Sequence, residues 1–154
     1  MSKFGSWAKY WLPLLLWMGV IFAASADNHS GQHSNELVLP VLRWLFPHIS
    51  ARTAGWVVFG ARKCAHLTEY AVFALLVWRA LCKPAKGARP SWDWRRAGVT
   101  LLVVFFYACS DEFHQRFVPT RDPTIHDVVI DTLGGGMALL ALWFFRFHRR
   151  RVEE

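Results

Sequence analysis

Ionisable side chains are concentrated in one stretch of the chain, residues 111–136, which reads DEFHQRFVPTRDPTIHDVVIDTLGGG. This stretch holds five of the eleven acidic residues, two of the seven histidines and two arginines. Apolar runs flank it, Ala97–Cys109 before it and Met137–Phe145 after it. Ionisable groups are expensive at membrane depth, and in membrane proteins they mark functional sites by default. The stretch is therefore the first candidate for such a site.

A second polar string lies upstream, inside another apolar run, and consists of Lys63, His66, Glu69 and Tyr70. Positions 63, 66 and 70 are three and four residues apart. A helix therefore places these three side chains on one face, with Glu69 beside them.

These residue types support either anion binding or catalysis. Arginine and lysine can hold an anionic group, arginine through its planar fork. A histidine and a glutamate three residues apart can instead serve acid–base chemistry or a metal ion. The catalytic candidates are His66, Glu69, Asp111 and Glu112, and the candidate metal ligands are His66, Glu69 and Asp111. No cofactor is predicted, because no zinc-protease helix, nucleophile elbow or phosphate loop occurs in the sequence.

Four other histidines are interpreted as solvent-facing. His29 and His33 lie in a polar stretch that predicts a loop, and metal binding is the minor alternative there. His114 and His126 are expected near the membrane interface, where solvent exposure is favoured over ligation.

The composition is typical of a single-domain membrane protein. Of 154 residues, 54% are apolar and 16% aromatic, and the apolar residues form unbroken blocks. The net charge is +7, but Lys and Arg cluster at the ends of these blocks, where anionic lipid headgroups attract them. No nucleic-acid motif accompanies the charge, so nucleic-acid binding is not predicted. The three cysteines show no CxxC spacing and are interpreted as small buried residues.

Four apolar blocks predict an all-α integral membrane four-helix bundle, a single domain over residues 1–154. The predicted spans cover about residues 7–26, 60–82, 95–113 and 127–147. Residues 27–34 (DNHSGQHS) predict a loop. Residues 36–46 are too short to span and predict an interfacial amphipathic helix in the first extracytoplasmic loop. The glycines 134–136 predict close packing of the last helix.

The first apolar block is either a cleaved signal peptide or a retained membrane helix, because it ends in Ala24-Ser25-Ala26, which fits a signal-peptide cleavage site. A retained helix is favoured, since the tryptophans of this block suit the interfacial anchors of a true span.

The distribution of basic residues predicts the orientation. The N-terminal segment, the loop between the second and third spans, and the C-terminal segment hold, with their flanks, twelve of the eighteen Lys and Arg residues. The positive-inside rule then places both termini in the cytoplasm and both polar strings on the extracytoplasmic side.

At these strings the sequence resembles the VanZ-like family of small bacterial membrane proteins. The resemblance covers about residues 10–145 and is carried by Arg62-Lys63-x-x-His66-x-x-Glu69-Tyr70, Asp111-Glu112-x-x-Gln115-x-Phe117-Val118-Pro119-x-Arg121, Asp127 and Asp131-Thr132-Leu133-Gly134. The end of the first apolar block, Ile21-Phe22-Ala23-Ala24-Ser25, looks similar too. Two departures occur: many relatives have Asn in place of Asp131, and Gly is common in place of Thr120. The resemblance implies a multi-pass protein of the bacterial inner (cytoplasmic) membrane and an association with reduced susceptibility to the lipoglycopeptide teicoplanin.

We predict that the two strings form one extracytoplasmic ligand-binding pocket. Its predicted residues are Lys63, His66, Glu69, Tyr70, Asp111, Glu112, Gln115, Arg121, Asp127 and Asp131. The expected partner is a membrane lipid or a lipid-linked envelope precursor with an anionic headgroup, and a homo-oligomer is left open. Two alternatives remain: a membrane-embedded metal-dependent or acid–base enzyme acting on an envelope lipid, and an ion-pair network that only stabilises a small scaffold.

Overall fold

The computed structural model of the protein describes residues 3–26, 30–83, 91–119 and 124–152, and within these ranges the chain forms five α-helices and no strand. The helices are α1 (Lys3–Ala26), α2 (Ser30–Leu45), α3 (Ala51–Cys82), α4 (Trp94–Gln115) and α5 (Ile125–Val152). The all-α prediction is confirmed.

Capping groups set the ends of the central helices. The Ser50 hydroxyl accepts a hydrogen bond from the Thr53 amide at 3.1 Å, which begins α3. Lys83 takes a left-handed conformation (φ 40°) and its N–H bonds to the Arg79 carbonyl, which ends α3. The Asp93 carboxylate accepts hydrogen bonds from two amides in the first turn of α4.

α3 is the central helix and contacts each of the other four. α3 and α4 both pack against α1 and against α5. The shared core includes fully buried side chains of α3 and α4, such as Tyr70, Phe73 and Val104, and buried side chains of α1 and α5 join it. Two indole and phenol groups also tie α1 to this pair: Trp17 donates to the Glu69 carbonyl at 2.9 Å, and Tyr107 to the Met18 carbonyl at 2.7 Å.

The close packing predicted for the last helix is confirmed at Gly134 and Gly135, but not at Gly136. A Cβ atom added to Gly134 would lie 2.3 Å from the Leu67 carbonyl oxygen of α3. A Cβ atom at Gly135 would lie 2.9 Å from the Val104 side chain of α4. Only glycine therefore allows α5 to approach the backbone of α3 this closely.

Among the described residues, three helices are long and apolar enough to cross a membrane: Trp7–Ala26, Ala51–Cys82 and Ile125–Arg146. Their outer faces carry large exposed apolar side chains, for example Leu16 (62%) and Phe145 (65%). Such faces fit a hydrocarbon environment, which indicates a membrane protein.

α4 does not meet the same length and hydropathy criteria, so the structure does not confirm the predicted span 95–113 or the four-span bundle. The reason is that the apolar stretch between charged residues in α4 is short. Arg96 and Asp111 enclose fourteen residues, about 21 Å of helix at about 1.5 Å per residue, against about 30 Å of hydrocarbon.

Other predicted boundaries shift by several residues. α2 begins at Ser30, so the predicted loop over 27–34 is wrong for residues 30–34, while residues 27–29 lie outside the described residues. α3 begins at Ala51 and has 32 residues, about 48 Å, which is longer than the predicted span 60–82. The expectation that all three cysteines are buried is wrong: Cys64 is exposed on the outside of α3, and Cys82 and Cys109 are only partly buried.

Candidate functional site

The two polar strings meet at one end of the helices, between α3, α4 and α5. Lys63 of α3 forms an ion pair with Asp127 in the first turn of α5. One turn deeper, His66 Nδ1 lies 3.5 Å from Asp131 Oδ1. The helical spacings 63–66 and 127–131 thus place the Lys63–Asp127 ion pair and the His66–Asp131 contact in register between the two helices.

Asp111 joins this cluster from α4 and connects it to α1. Gln115 donates to Asp111 Oδ2 at 3.2 Å and to the Ser25 hydroxyl at 2.9 Å. The Tyr70 hydroxyl lies close to the Asp111 carboxylate but makes no hydrogen bond of normal geometry. Asp111, Gln115 and Ser25 are all buried, so the contact fixes the end of α1 against α4.

Glu112 fixes the segment that enters α5. Its Oε2 accepts a hydrogen bond from the Thr124 amide at 2.8 Å, whereas Oε1 is buried and has no hydrogen-bond partner among the described residues. Arg121, one of the predicted binding residues, lies outside the described residues.

Asp131 is the most deeply buried acid of the cluster, with no exposed surface. Neither of its carboxylate oxygens has a hydrogen-bond donor at normal distance in the described part of the chain, and the His66 ring faces it with Nδ1 at 3.5 Å from Oδ1. A buried carboxyl without donors is energetically costly, so its presence between α3 and α5 requires an explanation beyond packing.

A cavity of about 260 Å³ opens beside this cluster, between α1, α2, α3 and α4. Its polar lining consists of Ser25, Arg62, His66, Glu69 and Asp111. The rest of the lining is apolar: Ile21, Ala24, Leu37, Val38, Ala61 and Ala65. The cavity therefore has an apolar wall and a polar side that carries both charge signs.

The structure divides the predicted site residues into two groups. The cavity is lined by His66, Glu69 and Asp111. Around these three, the neighbouring polar network contains Lys63, Tyr70, Glu112, Gln115, Asp127 and Asp131.

Sequence reasoning did not assign four lining residues to the site: Ser25, Leu37, Val38 and Arg62. Ser25 ends the stretch of the first block that is similar to the family, whereas no local pattern relates Leu37 and Val38 of α2 to the polar strings. Arg62 is the lining cation. It stands beside Lys63 in the sequence motif, and that adjacency was the one signal that could have identified it.

Two predictions about the histidines have opposite outcomes. His126 is exposed, as predicted. His114 is not solvent-facing: its ring lies 4.4 Å from the Phe22 ring, and its Nε2 atom is buried. His29 and the side chain of His33 lie outside the described part. Within that part, no group of three or more His, Cys, Asp or Glu side chains is arranged to hold a metal ion.

Helices that can cross a membrane, joined at one end by a buried polar cluster, define a class of small helical membrane proteins. The family model described as VanZ/LLP1 matches residues 10–146, nearly the whole chain. The protein therefore belongs to the VanZ-like family, as the sequence motifs indicated. No curated protein and no solved structure matches the chain.

Proposed function

We propose that the protein binds the headgroup of an anionic envelope lipid, or of a lipid-linked envelope precursor, in the cavity beside the polar cluster. The observation that carries this proposal is the lining of the cavity. An apolar wall from α1, α2 and α3 meets the side chains of Arg62, His66, Glu69 and Asp111. A lipid has the same division into apolar chain and polar headgroup, so the cavity complements a lipid end-on.

The cation that holds the anion is Arg62. Lys63 is engaged by Asp127, whereas Arg62 lines the cavity, and its planar guanidinium can bind a phosphate through two hydrogen bonds. The carboxylates of Glu69 and Asp111 are acceptors for hydroxyl groups, which favours a headgroup that carries a sugar or glycerol as well as an anion.

The proposed setting is the bacterial cytoplasmic membrane, with α4 as a fourth span, both termini in the cytoplasm and the cavity on the outer side. The exposed apolar face of α4, with Leu102 (57%) and Phe106 (66%), supports contact of this helix with lipid. The distribution of basic residues supports the orientation. Reporter fusions after Asp93 and after Asp122 should report inside and outside, respectively, and the same compartment for both would refute the topology.

Lipid retention tests the binding function directly. The purified protein is mixed with extracted envelope lipids and examined by native mass spectrometry. Wild type should retain an anionic lipid selectively, and Arg62→Ala should lose at least about tenfold in retention, as expected for one charge-assisted contact of about 1.5–3 kcal/mol. Arg52→Ala is the matched control, since Arg52 is an exposed arginine of the same helix outside the cavity.

Two results would contradict the binding function. Equal retention of all lipids by wild type, or equal loss in Arg62→Ala and Arg52→Ala, removes the basis for a headgroup site. If the variants instead change only thermal stability, the cluster serves as a structural ion-pair network.

The family association suggests a cellular consequence. We propose that expression lowers susceptibility to teicoplanin through this cavity. The inhibitory concentration of teicoplanin should then rise on expression of wild type and Arg52→Ala, but not on expression of Arg62→Ala at equal membrane levels. If expression of wild type leaves the inhibitory concentration of teicoplanin unchanged, this protein does not share the family's association with reduced susceptibility.

A second candidate function, acid–base catalysis on the bound lipid, is favoured by the pair His66 and Asp131. Asp131 faces Nδ1 of the ring at 3.5 Å, which leaves Nε2 as the nitrogen that can exchange a proton with a ligand in the cavity. His66→Ala should then abolish turnover of the bound lipid while retaining lipid binding. If no bound lipid changes chemically with wild type over long incubation, the binding function stands alone.

A further inference from the structure

The opposite end of the helices carries a cluster of tryptophans and basic residues, which we call the basic end. The tryptophans come from three helices and the segment before α4: Trp78, Trp92, Trp94 and Trp143. The basic residues of the described chain at this end are Lys9, Arg79, Lys83, Arg95, Arg96 and Arg146. The one acidic residue described there is Asp93, which pairs with Arg96 at 3.3 Å. Six cations and one carboxylate leave a local charge of +5 among these residues.

The four indole rings form a continuous chain of contacts. Trp78 stacks on Trp92 with ring centroids 4.7 Å apart, and Trp92 meets Trp94 edge-on at 5.2 Å. Trp94 then contacts Trp143 of α5 at 6.1 Å. The Arg146 guanidinium, one turn further along α5, lies 5.9 Å from the centre of the Trp78 ring. The cluster thus joins the end of α3, the start of α4 and the end of α5.

Two hydrogen-bond donors inside this cluster lack acceptors. The indole Nε1 atoms of Trp78 and Trp92 are buried, and neither has a hydrogen-bond partner in the described part of the chain. Trp78 itself is only 3% exposed. Buried indole N–H groups normally find a partner, and an unmade hydrogen bond at such a position is energetically costly. The unused donors, with the Arg146 guanidinium 5.9 Å from the centre of the Trp78 ring, favour a group that only accepts hydrogen bonds and carries negative charge.

We infer that the basic end binds the phosphodiester of an anionic phospholipid. A phosphate oxygen has the acceptor capacity that the two indoles lack, and its charge complements the surplus of cations. The exposed ring of Trp94 (65%) and the aliphatic part of Arg146 give the acyl chains an apolar surface beside the headgroup. An aromatic belt that only positions the helices at the interface would need neither the stacked buried pair nor the unpaired donors.

This site is separate from the cavity at the other end of the bundle. The basic end contributes no residue to the lining of that cavity, and the cavity contributes none to the tryptophan cluster. Binding at the basic end can therefore be present or absent whatever the outcome at the cavity.

Binding of short-chain phosphatidylglycerol tests the inference, with short-chain phosphatidylcholine and inorganic phosphate as comparisons. Native mass spectrometry and thermal unfolding are measured on the full-length protein in a neutral detergent, and each comparison is repeated in the Arg62→Ala background, so that lipid bound in the cavity does not contribute. Phosphatidylglycerol should bind preferentially, and Arg146→Gln should weaken its apparent affinity about fivefold, the factor for about 1 kcal/mol per basic residue at a membrane surface. Trp92→Phe, which removes one donor but keeps an aromatic ring, should weaken it by a similar factor.

Arg52→Gln is the matched control, because Arg52 is an exposed arginine in the first turn of α3, at the far end of the molecule. It should leave the affinity for phosphatidylglycerol unchanged. Equal binding of the two phospholipids, or equal affinity of wild type, Arg146→Gln and Trp92→Phe, would overturn the inference. Protection by inorganic phosphate as strong as that by phosphatidylglycerol would overturn the lipid assignment. If Arg146→Gln does not fold, Trp92→Phe still tests the inference, because Trp92 is partly exposed.

Discussion

The contact of α5 with the backbone of α3 allows a sharp prediction from a single methyl group. In Gly134→Ala the added Cβ would lie 2.3 Å from the Leu67 carbonyl oxygen and 3.0 Å from two further Leu67 backbone atoms. Ordinary contacts begin near 3.4 Å, so α5 must move away by about 1.1 Å. Because the obstacle is backbone, no side-chain rotation can relieve it.

The expected loss can be estimated from two opposing effects. Overpacking costs about 1–3 kcal/mol, and a rigid backbone obstacle places Gly134→Ala near the upper end. Alanine gains about 1 kcal/mol over glycine in a helix interior. The net result is a loss of about 2 kcal/mol in the free energy of unfolding.

Gly136→Ala is the matched control on the same helix. The nearest atom to its added Cβ is a Leu101 methyl carbon at 3.9 Å, an ordinary contact. This variant should therefore gain up to about 1 kcal/mol from helix propensity alone. Relative to wild type, the change in the free energy of unfolding should have opposite signs in the two alanine variants, and their free energies of unfolding should differ by about 3 kcal/mol.

Unfolding by SDS in mixed micelles, followed by circular dichroism, measures this difference. Wild type and the two variants are compared at the same detergent composition. The reasoning is refuted if Gly134→Ala is as stable as Gly136→Ala, because α5 would then not rest on the Leu67 backbone.

Three further predictions concern the helix interface and the polar cluster. Gly135→Leu should sharply lower the yield of folded protein in membranes, because the leucine side chain would enter the buried contact with α3 and α4. The yield is measured by size exclusion in detergent, and a normal yield would contradict this packing. Asp131→Asn should preserve or raise the free energy of unfolding, because it removes a buried carboxyl that lacks hydrogen-bond donors, and any His66-dependent activity should be lost. A fall of more than about 1 kcal/mol in the free energy of unfolding would show that the charge is structurally required. Lys63→Met should lower the free energy of unfolding by about 1–3 kcal/mol, because it leaves Asp127 unpaired. The exchange of the two residues, Lys63→Asp with Asp127→Lys, should recover part of this loss. No recovery in a double-mutant cycle would argue against a specific pair.

Local patterns in the sequence determined the helical class and the relation of residues on one helix. Unbroken apolar blocks predicted the positions of α1, α3 and α5, because a segment in hydrocarbon must satisfy its backbone internally. The spacing of Lys63, His66 and Tyr70 placed these side chains on one face, since helical periodicity depends only on neighbours in the chain. The family motif likewise depends on residues close in sequence.

Only the tertiary structure decided which helices supply the partners and where space remains between them. His66 meets Asp131 across 65 positions of sequence, and Gln115 meets Ser25 across 90. Such pairings follow from how whole helices pack, which depends on volumes and close approaches such as that at Gly134. The cavity has the same origin: it is the volume that four helices leave unfilled, and so α2 could become one of its walls without any local signal in the sequence.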